Sequence, residues 1–130
     1  MSIETTLRAY LLTDTTLTGY ISTRLYYAKA PQEVVKPYVV YWTLGDPNEK
    51  TLVGHDGANP IITFRMVAET AAVLVAISEA IRAKIIDFTG TMGTMDVYRI
   101  NAVNFTDFPP QKDQDFLERF CDYEVMYERS

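Results

Sequence analysis

The sequence is poor in the residue types that small catalytic and metal-binding domains depend on. It has one cysteine, Cys121, one histidine, His55, and one tryptophan, Trp42, in 130 residues. A single cysteine excludes an intramolecular disulfide, and nothing in its use asks for an oxidising compartment. Basic residues are also scarce. Twelve Lys and Arg stand against 17 Asp and Glu, a net charge of −5 with a pI near 4.8. Proteins that grip nucleic acid draw most of their affinity from neutralising phosphate, so a chain this acidic is not a DNA-binding module. It can touch a duplex only as a repelling wall does.

Long apolar runs are missing too. The most apolar stretch, residues 71–77, is broken by Ser78 and Glu79, far short of the ~20 residues that a bilayer needs. The start, Met1-Ser2-Ile3-Glu4, carries an acid where an export signal carries basic residues. These absences predict a soluble protein made in the cytoplasm, with no membrane partner.

What is present suits a packed domain. Hydrophobic residues make up 48% and charged residues 22%, ordinary for a globular chain and wrong for a disordered one. The length corresponds to one domain spanning residues 1–130. A chain of this size buries roughly two thirds of its unfolded surface, enough for a core without staples.

Periodicity predicts a first helix over residues 3–12, with Ser2 as cap and Ile3, Leu7, Tyr10 and Leu11 on one face. The Thr/Asp run 13–18 reads as its end or a ragged turn, and Gly19 as a break. Residues 24–27 form a short strand candidate. Residues 38–44 are the strongest strand signal, with Tyr38, Val40, Trp42 and Leu44 on one face and Val39, Tyr41 and Thr43 on the other. Both faces are apolar or aromatic, which predicts a central strand covered on both sides. A partner strand spans 61–68, with Ile62, Phe64 and Met66 inward and Thr63 and Arg65 toward solvent or a neighbour.

Residues 46–60 between those strands make a connection far longer than a hairpin favours, with Leu52 and Val53 at its centre, as in an arm that packs on something. Thr70 caps the main helix, 71–88, which stops at Gly90. Leu74, Ile77, Ile81, Ile85 and Phe88 form its core stripe. Val75 and Ile86 lie roughly 100° off that stripe and suggest contact with another chain. Strands over 97–105 and 116–127 close the domain, with 107–115 as their turn. The expected class is α+β: an antiparallel or mixed sheet of about four to five strands packed with two helices.

No catalytic or metal constellation emerges, and no cofactor is expected. His55 precedes Asp56 in a glycine-flanked loop, but no nucleophile is fixed against it, so a solvated turn is the better reading. Cys121 lies on an apolar strand face beside Asp122, a place for a packing residue and not for a reactive thiol. Asp122 and Glu124 alternate on one strand face, as do Asp113 and Asp115 if extended, but a cation site needs oxygens converging from several directions. The run from Gly90 to Met95 follows a helix and has no Lys, so it is a stop and turn, not a phosphate loop. The early aromatics Tyr20, Tyr26, Tyr27, Tyr38, Tyr41 and Trp42 suit core packing or a protein interface, and net acidity disfavours base stacking. The acidity is uneven: residues 105–130 hold three basic and seven acidic side chains, a net of −4, which leaves −1 for the rest.

The layout resembles the small tail-completion, or tail-terminator, proteins of long-tailed bacteriophages and prophages. The matching parts are the first helix, Arg24-Leu25-Tyr26-Tyr27 leading to Ala30-Pro31, and Pro37-Tyr38-Val39-Val40-Tyr41. The Gly54-His55-Asp56-Gly57 loop, the strand entering the main helix, and Asp122-Tyr123-Glu124-Val125 complete it. The resemblance implies a structural virion protein, not an enzyme, that forms a homo-oligomeric ring, typically a hexamer. Such a ring sits at the head-proximal end of the tail tube, stops tube growth and docks to the head connector. The implied partners are the tail-tube protein and the connector or completion protein, with double-stranded DNA only passing through. The interface candidates are Leu52, Val53 and His55 on the long loop, Val75 and Ile86 on the main helix, and Phe108 and Pro109 at the closing hairpin. Asp113, Asp115, Asp122 and Glu124 are the candidate channel acids. The competing readings are a head-completion stopper, a tail-tube subunit, or a small ligand-binding or enzymatic α+β domain.

Overall fold

The computed structural model describes residues 3–44, 57–58, 60–86, 88–93, 95–108 and 116–128. In chain order these form α1 (Ile3–Leu11), α2 (Thr15–Ile21), β1 (Leu25–Tyr27), β2 (Tyr38–Leu44), β3 (Gly57–Ala58), β4 (Ile61–Ala68), α3 (Ala71–Ile85), β5 (Gly90–Met92), β6 (Met95–Phe108) and β7 (Leu117–Glu128). The class is α+β, as expected, but with three helices and seven strands among the described residues.

The extra helix arises where a ragged turn was expected. Asp14 accepts a hydrogen bond from the Leu17 backbone N–H at 3.2 Å and starts α2. Short polar side chains that spoil a helix interior are good at opening one. Gly19 lies inside that helix and breaks nothing. Leu17 and Ile21 anchor α2 in the core.

The sheet runs β1-β2-β4-β7-β6-β5. β1 lies parallel to β2, and the other neighbours are antiparallel. Beyond β4, β3 pairs with β7 at Gly57↔Glu128 and Ala58↔Tyr127. The Val125 N–H bonds the Pro60 carbonyl at 3.0 Å between these segments, so β3 and β4 together accompany β7 along one side. The chain therefore returns from the long connection, most of which lies outside the described residues, in two strands that both pair with β7, β3 at Gly57–Ala58 and β4 from Ile61.

All three helices cover one face of the sheet. Leu7, Leu11, Leu17 and Ile21 join Leu74, Ile77, Ile81 and Ile85 against Phe64, Met66, Cys121 and Tyr123 in one core. The opposite face has its own smaller cluster of Tyr38, Val40 and Val67, with Ala30, Val34 and Phe116 packed over it. β2 is thus central and covered on both sides, as its two apolar faces require.

α3 is shorter than its periodicity predicts. Thr70 caps it, accepting from the Val73 N–H at 3.3 Å, but Ile86 is already extended at φ −62°, ψ 134° and ends it. Phe88 therefore reaches the core from outside the helix, edge-on to Tyr10 with ring centroids 5.0 Å apart. The segment expected as a plain helix stop instead makes a hairpin, β5 pairing with β6 up to Met92↔Met95, with Gly93 at φ 64° in the turn. That positive φ is one that glycine adopts without a steric cost.

Candidate interaction surface

The least covered part of the sheet is the far half of β6. A regular strand buries every second residue, yet in β6 Val97 and Ile100 are both buried, three positions apart. A shift of register between Val97 and Arg99 explains the spacing, and a second shift falls between Ala102 and Asn104. Each leaves one extra residue, Tyr98 and Val103, and both are exposed. Bulges of this kind bend a strand and raise its twist.

Past the second bulge the helices cover β6 only in part. Phe105 sits opposite buried Cys121, yet its side chain is 42% exposed. Two guanidiniums flank it, Arg82 from α3 at 5.8 Å and Arg119 from β7 at 5.9 Å from the ring centroid. Arg119 is held in turn by Asp107, through Nε to Oδ1 at 2.6 Å and Nη2 to Oδ2 at 3.1 Å. The hydrogen bonds from Arg119 hold the Asp107 carboxyl below its ordinary range. Between this pair and the start of α3 lies a cleft of about 320 Å³ lined by Leu74, Val75, Leu117 and Arg119, among others.

The expected site residues fall into separate places. Val75 stands on the rim of that cleft, 42% exposed. Ile86, expected beside it on one helix face, is the residue that ends α3 and packs half-buried on the core. Phe108 is the last residue of β6, in register with Glu118. Asp122 and Glu124 lie half-buried on the β7 face away from the helices. Asp122 accepts a hydrogen bond from the buried Thr63 hydroxyl at 2.7 Å, so that carboxylate is engaged within the sheet. Arg65, its neighbour two positions along β4, donates to Glu118 at 2.6 Å. Leu52, Val53, His55, Pro109, Asp113 and Asp115 lie outside the described residues.

Cys121 is buried against Ser78, its Sγ 3.9 Å from the serine hydroxyl. Burial pushes its thiol up to about 11, which keeps it protonated and unreactive at neutral pH. The Tyr123 hydroxyl is buried without a hydrogen-bond partner among the described residues, and burial pushes its ionisation up. Among the described residues no three His, Cys, Asp or Glu side chains converge to hold a metal ion. The early aromatics divide: Tyr41 and Tyr38 are buried, whereas Tyr20 and Tyr27 are exposed.

The sequence profile of the family "Tail completion protein gp17" matches residues 5–128. The chain belongs to this family. It is therefore a structural tail-completion component of a phage-type particle, and its place is the virion. No curated protein sequence matches it. Among solved structures, a chain from the virion of a native gene transfer agent particle superposes with a TM-score of 0.70 at 15% identity, covering 98% of each chain. A second solved chain, of no stated function, superposes at 0.63 with 8% identity over 100% of this chain and 98% of its own. At such identities the likeness shows a shared fold. The β6 overhang and its cleft are thus surfaces of a tail-completion protein. Arg119, Asp107 and Phe105, which form them, carry no motif. The three-residue spacing of Val97 and Ile100 is the one trace of the bulged strand in the sequence.

Proposed function

We propose that this tail-completion protein forms a closed homo-oligomeric ring, a hexamer, at the head-proximal end of a tail tube. The ring ends tube polymerisation and docks to the head connector, acting through its surfaces and not by catalysis. The observation that carries this reading is the family match over nearly the whole chain. An apolar cleft beside exposed Val75 and Phe105 supports it, because a protein built to assemble keeps such surface for its neighbours. The tail-tube protein and the connector are the partners, met through Leu52, Val53, His55 and Pro109 on the two long connections and Phe108 at the end of β6, with Val75 and Ile86 on and beside α3.

Double-stranded DNA passes through the ring without being held. Asp113, Asp115, Asp122 and Glu124 are assigned to the channel or joint side, where carboxylates repel the phosphate backbone over ~8 Å at physiological salt. That range acts inside a narrow channel and fades outside it.

Electron microscopy tests the reading. Purified protein is expected to give closed rings of uniform diameter, and particles made without it are expected to show tails of uncontrolled length and unattached heads. Long tubes from the purified protein would instead make it a tube subunit. In a reconstruction of the assembled tail, Asp122 and Glu124 on the outer surface would end the assignment of the acidic wall.

A further inference from the structure

The two lateral edges of the sheet are finished differently. At β1 the outward carbonyls are occupied within the chain. Leu25 O accepts from Arg8 Nε at 2.8 Å and Tyr27 O from the Lys29 N–H at 2.8 Å. The strand itself is only three residues long. Short strands and occupied groups are how sheets refuse another strand.

At the other side, β5 pairs with β6 only as far as Val97. Among the described residues, no backbone group of residues 102–107 bonds to anything but β7. The stretch 100–106 reads Ile-Asn-Ala-Val-Asn-Phe-Thr, seven residues without a charge or a proline in a chain of net charge −5. Edges guarded against pairing carry lysine or proline at such positions. A shallow concavity of about 240 Å³ lies over Ala102, Val103, Asn104 and Phe105. Val103 is 53% exposed there.

Rows across the sheet locate what is missing. Tyr41, Phe64, Cys121 and Phe105 are successive neighbours on β2, β4, β7 and β6. The first three are buried and the last is open. One more strand beside β6 would continue the sheet and cover that row's end.

We infer that residues 102–107 of β6 are the receiving half of the contact between copies, taking an extended segment of a second copy of this chain as an added strand. The inference rests on the ring reading. Two features argue for a second copy as the occupant. An open backbone edge is completed by the main-chain hydrogen bonds of an extended polypeptide. A like-charged copy can approach this chain most cheaply where the edge is uncharged, as it is up to Thr106, and the carboxylate of Asp107 beyond it is paired with Arg119. A β6-to-β6 contact would be two-fold and stop at a dimer, so in a ring the added strand comes from a different surface of the second copy, and with β1 closed that surface is not the other sheet edge.

The test uses the full chain. Val103→Lys places a charge on the open edge at a position that is exposed in the single chain, and Tyr27→Lys does the same beside the closed edge. Both variants are first checked for a native circular dichroism spectrum and melting transition. Light scattering is expected to show the wild type and Tyr27→Lys as rings and Val103→Lys as single chains, with assembly weakened roughly tenfold or more. Amide hydrogen exchange of the wild type is expected to slow at residues 102–107 on assembly and not at 25–27. An assembled wild type with an equally assembled Val103→Lys, and no added protection at 102–107, would overturn the edge assignment and leave the ring standing. A wild type that stays a single chain at every concentration, alone and on tails, would overturn the ring reading and the edge assignment with it.

Discussion

Phe64 and Phe105 occupy the same row of the same sheet, on β4 and β6, with Cys121 between them. One is fully buried and the other is 42% exposed. Phe64 stacks near Tyr41 at 6.0 Å and meets Tyr123 edge-on at 5.8 Å, beneath the helices. Phe105 instead lies against two guanidiniums, Arg82 of α3 and Arg119 of β7, and stays open to solvent. Residue type and strand register do not separate them. What separates them is how far the helical layer reaches, and that is a property of tertiary placement.

The comparison can be broken by trimming each ring in turn. Phe64→Ala is expected to cost about 3–5 kcal/mol, the usual loss for a buried aromatic whose cavity cannot fully close. Phe105→Ala is expected to cost less, about 1–2 kcal/mol in the single chain, since 42% of the residue is already exposed. Urea unfolding of both variants, held under conditions where the chain is not assembled, measures the difference. Equal losses would mean that the overhang is covered from within the chain and that the two ends of the row are alike.

The covered half of this fold was largely legible in the sequence. The 3.6 period of α3 picked out Leu74, Ile77, Ile81 and Ile85, and all four are buried. The alternation of β4 put Ile62, Phe64 and Met66 inward, and that of β7 put Cys121, Tyr123, Val125 and Tyr127 inward. Each of these elements buries a face against something, so burial wrote a period into it. β6 was legible only as a strand. Its bulges break the alternation, and its exposed half answers to no core, so no period marks Val103, Phe105 or Asp107. α2 was hidden for a different reason: the Thr/Asp run that suggested an ending holds the cap of the next helix. The parallel pairing of β1 with β2 is set by the cover that residues 28–37 make over the second face, a choice no local pattern encodes.

A smaller effect sharpens the contrast from the polar side. In the covered half, the Tyr123 hydroxyl is buried with no partner among the described residues, whereas Thr63 in the same half satisfies Asp122. A buried polar group left unpaired costs roughly 1–3 kcal/mol. Tyr123→Phe is therefore expected to be neutral or to raise stability by about 1 kcal/mol, and Thr63→Val to lower it by about 1 kcal/mol. Thermal melts of the two variants should move in opposite directions or, at the least, differ in this order. A clear loss with Tyr123→Phe would show that the hydroxyl has a partner in solution.

The smallest expected effect lies on the overhang, in the Asp107–Arg119 pair. Its hydrogen bonds are short, 2.6 and 3.1 Å, but the Asp107 side chain is largely exposed, and solvent screens such pairs to little net stability. The sign is still fixed. Asp107 has its carboxyl ionisation lowered first by the hydrogen bond from Arg119, against a weaker opposing effect of burial. A depressed carboxyl contributes stability above its ordinary value near 3.8, and that contribution is lost as pH falls through the depressed value. An NMR titration of the Asp107 carboxyl should thus find its midpoint below the ordinary aspartate range, and Arg119→Gln should return it upward. The stability difference between wild type and Asp107→Asn should be small at pH 7 and should vanish in strong acid. An Asp107 midpoint at or above the ordinary value would mean that the pair is open in solution, leaving Arg119 free to meet a carboxylate on another chain.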